Sequence, residues 1–183
     1  QSTMYIFGNE VSSTTQNIKD RITQGLTELI GSAYTNLRML QMEYTEESIS
    51  KAMAQKDDLG LNADLSEAEN EILSKLQRNK ANHERTTVKS LLAVFRSRPY
   101  GWYNNAILSL IAGLCKRGKV LIKRDGNVLN DSEVVSALLN SRSYDNTIIE
   151  IEDVISPSQI SRLKGLFQDY FGKPCTATEG REI

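Results

Sequence analysis

The chain has little of what many protein classes require. Two cysteines among 183 residues, Cys115 and Cys175, cannot build a disulfide framework and point to a reducing compartment. One histidine, His83, and two cysteines far apart in sequence leave too few ligands for a zinc site. No apolar run approaches the roughly 20 residues of a transmembrane helix. The N-terminus lacks the basic-then-apolar pattern of a signal peptide. Prolines number three, at Pro99, Pro157 and Pro174, and each falls at a predicted helix boundary. Catalytic signatures are missing as well: there is no nucleophile elbow, no His-Glu pair at metal spacing and no paired carboxylates in an apolar setting. Together these absences exclude a secreted disulfide scaffold and speak against a membrane span, a zinc module or an enzyme.

What remains is an ordinary globular composition, 39% hydrophobic and 25% charged, so disorder is not the default. Gln1 at the start and Glu182-Ile183 at the end read as the limits of a piece cut from a longer protein.

The informative stretch runs from Arg85 to Asn130. Val88, Leu91, Leu92 and Phe95 recur at helical spacing until Pro99 and Gly101 stop the helix. A second helix begins near Trp102, with Ile107, Leu108, Leu110, Ile111 and Leu114 as a broad apolar face. It ends at Lys116-Arg117-Gly118, where cations suit the negative end of the helix dipole and glycine suits a left-handed position. Lys119 to Lys123, an Asp125-Gly126 turn and Val128-Leu129 then read as a hairpin. Helix, turn, helix and hairpin is the plan of a winged helix, and the predicted fold is mainly α with a small sheet around such a core.

The flanks add helices. An amphipathic helix over 13–30, closed by Gly31, carries Ile18, Ile22, Leu26, Leu29 and Ile30. Met4 to Phe7 is a short edge strand or the end of an element. Residues 32–41 are short and apolar, either strand or helical turn. Thr45 caps a helix to about Lys56. Lys56 to Gly60 is the candidate linker, and Ser66 with Glu69 forms a capping box for a helix to about Ala81. Asp131 or Ser132 caps a further helix, and 147–152 reads as a strand able to join the hairpin. Ser156-Pro157 opens a final helix with a wide, aromatic stripe, Ile160, Leu163, Leu166, Phe167, Tyr170 and Phe171. The domain reading is therefore a helical segment at 1–60, remnant of or linker from a larger protein, a winged-helix domain at 61–155, and a helix with tail at 156–183.

Charge is segregated. Between Val88 and Arg124 there are eight Lys or Arg and no acid, so with a net charge of −1 the rest carries −1 − 8 = −9. Two interpretations follow. In helix-turn-helix modules the start of the second helix meets base edges and nearby cations hold phosphates. On that basis Arg96, Arg98, Tyr103, Asn104, Asn105, Lys116, Arg117, Lys119, Lys123 and Arg124 are candidate contacts to double-stranded DNA. In the other interpretation the cations solvate a surface while Tyr100 and Trp102 plug the core around the Pro-Gly turn. The string Gly113 to Val120 has P-loop spacing, but Val120 replaces the magnesium-binding hydroxyl, and the order is helix-to-strand, so it cradles no phosphate.

Phe95-Arg-Ser-Arg-Pro-Tyr-Gly-Trp102, followed by an apolar helix and Gly118-Lys-Val-Leu-Ile122, resembles the downstream region of the large P-loop ATPase of bacterial BREX phage-defence systems, the BrxC or PglY type. The resemblance covers about Thr86 to Asn130. It implies a cytoplasmic bacterial protein whose ATP and magnesium sites lie outside this chain, with no cofactor in these residues. It also implies a non-catalytic docking module, contacting other proteins of a defence complex or the rest of its own chain, with DNA as a second candidate partner and no membrane. A stand-alone DNA-binding regulator, with the 156–171 helix for dimerisation, is the alternative.

Overall fold

The computed structural model describes residues 4–11, 17–54, 64–152 and 157–173. The candidate linker at Lys56–Gly60, the expected start of the first helix at 13–16, Ser156 and the tail from Cys175 lie outside the described residues. Two compact units are present, 1–151 and 152–183.

The first unit opens with a hairpin, β1 (Met4–Ile6) against β2 (Asn9–Val11), with Met4 opposite Val11. Phe7 and Gly8 make the turn at φ 48° and 81°, the mirror-image geometry that suits the twist of a tight hairpin. Helix α1 spans Ile18–Ala33, capped by the Asn17 side chain, which accepts from the Lys19 amide at 3.0 Å. It runs past the expected stop at Gly31, because the Tyr34 amide still reaches the Ile30 carbonyl at 2.8 Å and keeps Gly31 inside the last turn. Residues Leu37–Met39 form a 3-10 turn, and α2 (Glu46–Ala54) follows.

The helices of the winged core start where their caps dictate. For α3 (Glu67–Ala81) the Ser66 hydroxyl accepts from the Glu69 amide while the Glu69 carboxylate accepts from the Ser66 amide. For α4 (Val88–Arg96) Thr87 and Ser90 make the same reciprocal pair. Helix α5 (Asn104–Lys116) ends with Gly118 at φ 62°; its amide donates to the Cys115 carbonyl and the Lys119 amide to the Leu114 carbonyl, a Schellman closure. The chain then enters β3 (Val120–Arg124), turns through Asp125 and Gly126, both at positive φ, and returns as β4 (Asn127–Val128). Helix α6 (Asp131–Leu139) is capped by Asn130, not by Asp131 or Ser132: the Asn130 side chain accepts from the Glu133 amide at 3.0 Å, and Glu133 reaches back. Strand β5 (Thr147–Ile151) joins β3 antiparallel, with Ile122 opposite Ile149, giving the order β4-β3-β5. A bridge from Thr87 to Ile148 covers part of the far edge.

Apolar side chains of α2, α3, α4, α5, α6 and the sheet share one core. Its centre is α5, and α2 packs against α5 more extensively than any other pair of elements. Ile49 and Met53 supply the α2 side and are buried. A helix from residues 1–60 therefore fills the same core as the elements after 61. In the second unit, α7 (Pro157–Phe171) ends at Gly172, φ 64°, and leaves Leu166, Tyr170 and Phe171 exposed.

Ile49→Ala should cost about 3 kcal/mol, the usual effect of emptying a sealed core site. Ile22→Ala, on the solvent side of α1, should change stability by less than about 0.5 kcal/mol. Urea unfolding of both variants measures the contrast.

Candidate nucleic-acid interface

The turn between α4 and α5 is built from aromatic packing. Trp102 is 1% exposed and stacks on Phe95, ring centroids 4.8 Å apart and planes 9° from parallel. Tyr100 meets both rings edge-on, at 4.7 and 5.3 Å. Such pairs add to the stabilisation their burial already gives. Each polar tip finds a partner: Trp102 Nε1–H donates to the Asn36 carbonyl at 3.0 Å, and the Tyr100 hydroxyl donates to Glu71 at 2.6 Å. Burial, and then the bond to Glu71, hold the Tyr100 pKa above its ordinary value of 10. Tyr100 and Trp102 thus plug the core around the turn.

Helix α5 is open to solvent only at its two ends. Tyr103 and Asn104 are exposed and Asn105 is half-buried, but every residue from Ala106 to Ala112, and Leu114, is buried. A recognition helix lies in a groove about 12 Å wide and meets base edges with its N-terminal residues, which in α5 are the exposed first turn. Here α2 occupies that neighbourhood, and the Tyr44 amide donates to the Tyr103 hydroxyl at 2.6 Å. Tyr44 lies two residues before Glu46 and Glu47, which open α2, so the segment on Tyr103 is acidic. Nothing in the local sequence around Tyr44 signals this contact with Tyr103.

The segregated cations find acids from other elements. Lys89 pairs with Asp145 at 2.8 Å, Lys116 with Asp131 at 2.7 Å, Lys123 with Glu150 at 2.6 Å, and Arg117 with Glu69. The Glu69–Arg117 pair is the most enclosed, with side chains 11% and 24% exposed. Glu69 caps α3 with one oxygen and takes the guanidinium with the other. The pair lies against Gly113, where a Cβ would sit 3.4 Å from Glu69 Oε1, in ordinary contact. Burial lowers the Arg117 pKa below its ordinary value. Arg98 lies over the Tyr34 ring, 5.9 Å from its centroid. Arg96, Lys119 and Arg124 carry no ion pair among the described residues. The candidates also divide in space: Tyr103 to Asn105 and Lys116 to Lys119 are at opposite ends of α5, about 18 Å apart at the helical rise. The sequence gives no local sign of the neutralising acids, which lie 15 to 56 positions from their partners.

Among the described residues no group of three or more His, Cys, Asp or Glu is placed to hold a metal ion. No described helix is long and apolar enough to cross a membrane.

Compared with known families, residues 34–152 match the one described as the BREX ATP-binding protein BrxC winged helix-turn-helix domain, well over half of the chain. No curated protein and no solved structure matches it.

Two outcomes test this electrostatic picture. Glu69→Gln strands a desolvated guanidinium and should cost about 3 kcal/mol in urea unfolding, whereas Glu150→Gln, at a more open pair, should cost under about 1 kcal/mol. Burial raises the pKa of Tyr44, Tyr100 and Tyr144, the last two helped by Glu71 and Glu46. The folded state holds these protons more tightly, so this stabilisation is complete below about pH 10 and is lost as pH rises through the folded values. The urea midpoint should fall on going from about pH 9 to about pH 11, and fall less in Tyr100→Phe.

Proposed function

The chain belongs to the BrxC winged helix-turn-helix domain family, and from that premise we propose that it is a docking module: a winged helix that binds protein instead of reading DNA with its second helix. The observation that carries this is the burial of α5 from Ala106 to Ala112 under α2 and the rest of the core. A helix enclosed in this way has only its first turn to offer a groove, and Tyr103 in that turn is already engaged by the Tyr44 amide. Peeling α2 off would expose Ile49 and Met53 together with aliphatic side chains of α5, a surface for protein and not for phosphate.

The neutralised cations support the same reading. Lys116, Arg117 and Lys123 already face carboxylates, so a phosphate would have to displace an existing partner. The partners this favours are other proteins of a BREX defence complex or further parts of the same polypeptide. In such a protein ATP and magnesium bind elsewhere, and the module is non-catalytic and works in the cytoplasm.

A second reading rests on Arg96, Lys119 and Arg124, which make no ion pair among the described residues. They favour a sequence-independent backbone contact by the end of α4 and the wing, with phosphates as the only ligand.

Fluorescence anisotropy of a labelled duplex, titrated with the chain at about 50 and about 200 mM salt, separates the two. The docking reading predicts no saturable binding even at the lower salt. Tight binding that collapses at the higher salt, and is lost in Lys119→Glu, Arg124→Glu, would move the assignment to the wing.

A further inference from the structure

We infer that the Pro99–Trp102 turn is a socket that fixes the direction of α1 relative to the winged core, with Tyr34 as the joint. This stands whether the core docks on protein or on DNA. Helix α1 gains little direction from lateral packing. Gly25 is its one buried residue among those described, and a Cβ there would strike the Met4 side chain, so what α1 grips is its own hairpin. Ile18, Ile22 and Leu26 are all more than half exposed. No core element packs extensively against the helix.

Contacts of different chemistry converge instead at its C-terminal end. Tyr34 closes α1 through its amide, so whatever holds Tyr34 holds the last turn. Its ring covers Gly101, where a Cβ would come within 2.5 Å of a ring carbon; Gly101 is also at φ 65°, so glycine is required for space and for backbone conformation. The Arg98 guanidinium lies over the same ring. Two residues on, the Asn36 amide donates to the Pro99 carbonyl at 3.0 Å, and the Asn36 carbonyl accepts from Trp102 Nε1 at 3.0 Å. Trp102 in turn is stacked on Phe95 and lies two residues before α5. A turn that only plugged the core would need Tyr100 and Trp102. The open ledge at Gly101 and the guanidinium of Arg98 serve Tyr34. A displacement of α1 is therefore delivered through Tyr34 and Asn36 to the start of α5.

Spin labels placed at Glu28→Cys in α1 and Asn127→Cys on the wing, in a Cys115→Ser, Cys175→Ser background of the full chain, read this directly by pulsed dipolar spectroscopy. The expected result is one narrow distance distribution. It should stay narrow in Tyr34→Phe, which keeps the ring, and broaden severalfold in Tyr34→Ala while Trp102 fluorescence reports a folded core. If Tyr34→Ala unfolds, Gly101→Ala, which expels the ring from its ledge, should broaden the distribution in the same way. A broad distribution in the parent, or one as narrow in a folded Tyr34→Ala or Gly101→Ala variant as in the parent, would overturn the inference.

Discussion

A helix that is apolar on every side must be surrounded on every side, and α5 sets that requirement for the whole unit. Ile107, Leu108, Leu110, Ile111 and Leu114 form one broad apolar face, and Ala106, Ser109 and Ala112 on the remaining sides are buried too. The helix-turn-helix partners α3 and α4 and the three-stranded sheet cannot enclose such a helix and also leave one face open. Helix α2 therefore completes the core. The same requirement explains why Ile49 is fully buried although it comes from a short helix with three charged residues. On the proposed docking reading, what would separate this winged helix from a DNA reader is this packing requirement.

Electrostatics then fall into place around the enclosed helix. Its C-terminal turn ends in Lys116 and Arg117, favourable to the dipole, and each is met by an acid that another helix supplies near its own N-terminus. Glu69 shows the economy of this arrangement, because one carboxylate both caps α3 and compensates the half-buried Arg117. Half of the basic stripe in the linear chain, Lys89, Lys116, Arg117 and Lys123, is in three dimensions a set of cross-links.

Local features were legible in the sequence because they depend on neighbours within a few residues. The Ser66–Glu69 capping box, the Asp125-Gly126 turn, the left-handed Gly118 and the third strand at 147–151 all lie where the pattern puts them. Where local signals competed, boundaries moved: Asn130 takes the cap expected of Asp131 or Ser132, and α1 runs through Gly31. Long-range facts were not legible. A broad apolar face on α5 did not distinguish a helix covered on one side from one covered on all. The α2 contact, the acids opposite the cations and the Tyr34 seat on Gly101 join positions far apart in the chain, and no short-range pattern encodes them. The Pro-Tyr-Gly-Trp string pointed to the family; its physical role became visible only with Asn36 and Tyr34 in place.

The most direct test of the enclosed α5 is native-state hydrogen exchange of its backbone amides. Protection from Ala106 to Leu114 should approach that of global unfolding, and α2 should exchange with the same free energy, since neither can open without the other. Rapid exchange of α2 with α5 still protected would mean that α2 leaves without disturbing the core, and that the covered face of α5 is available after all.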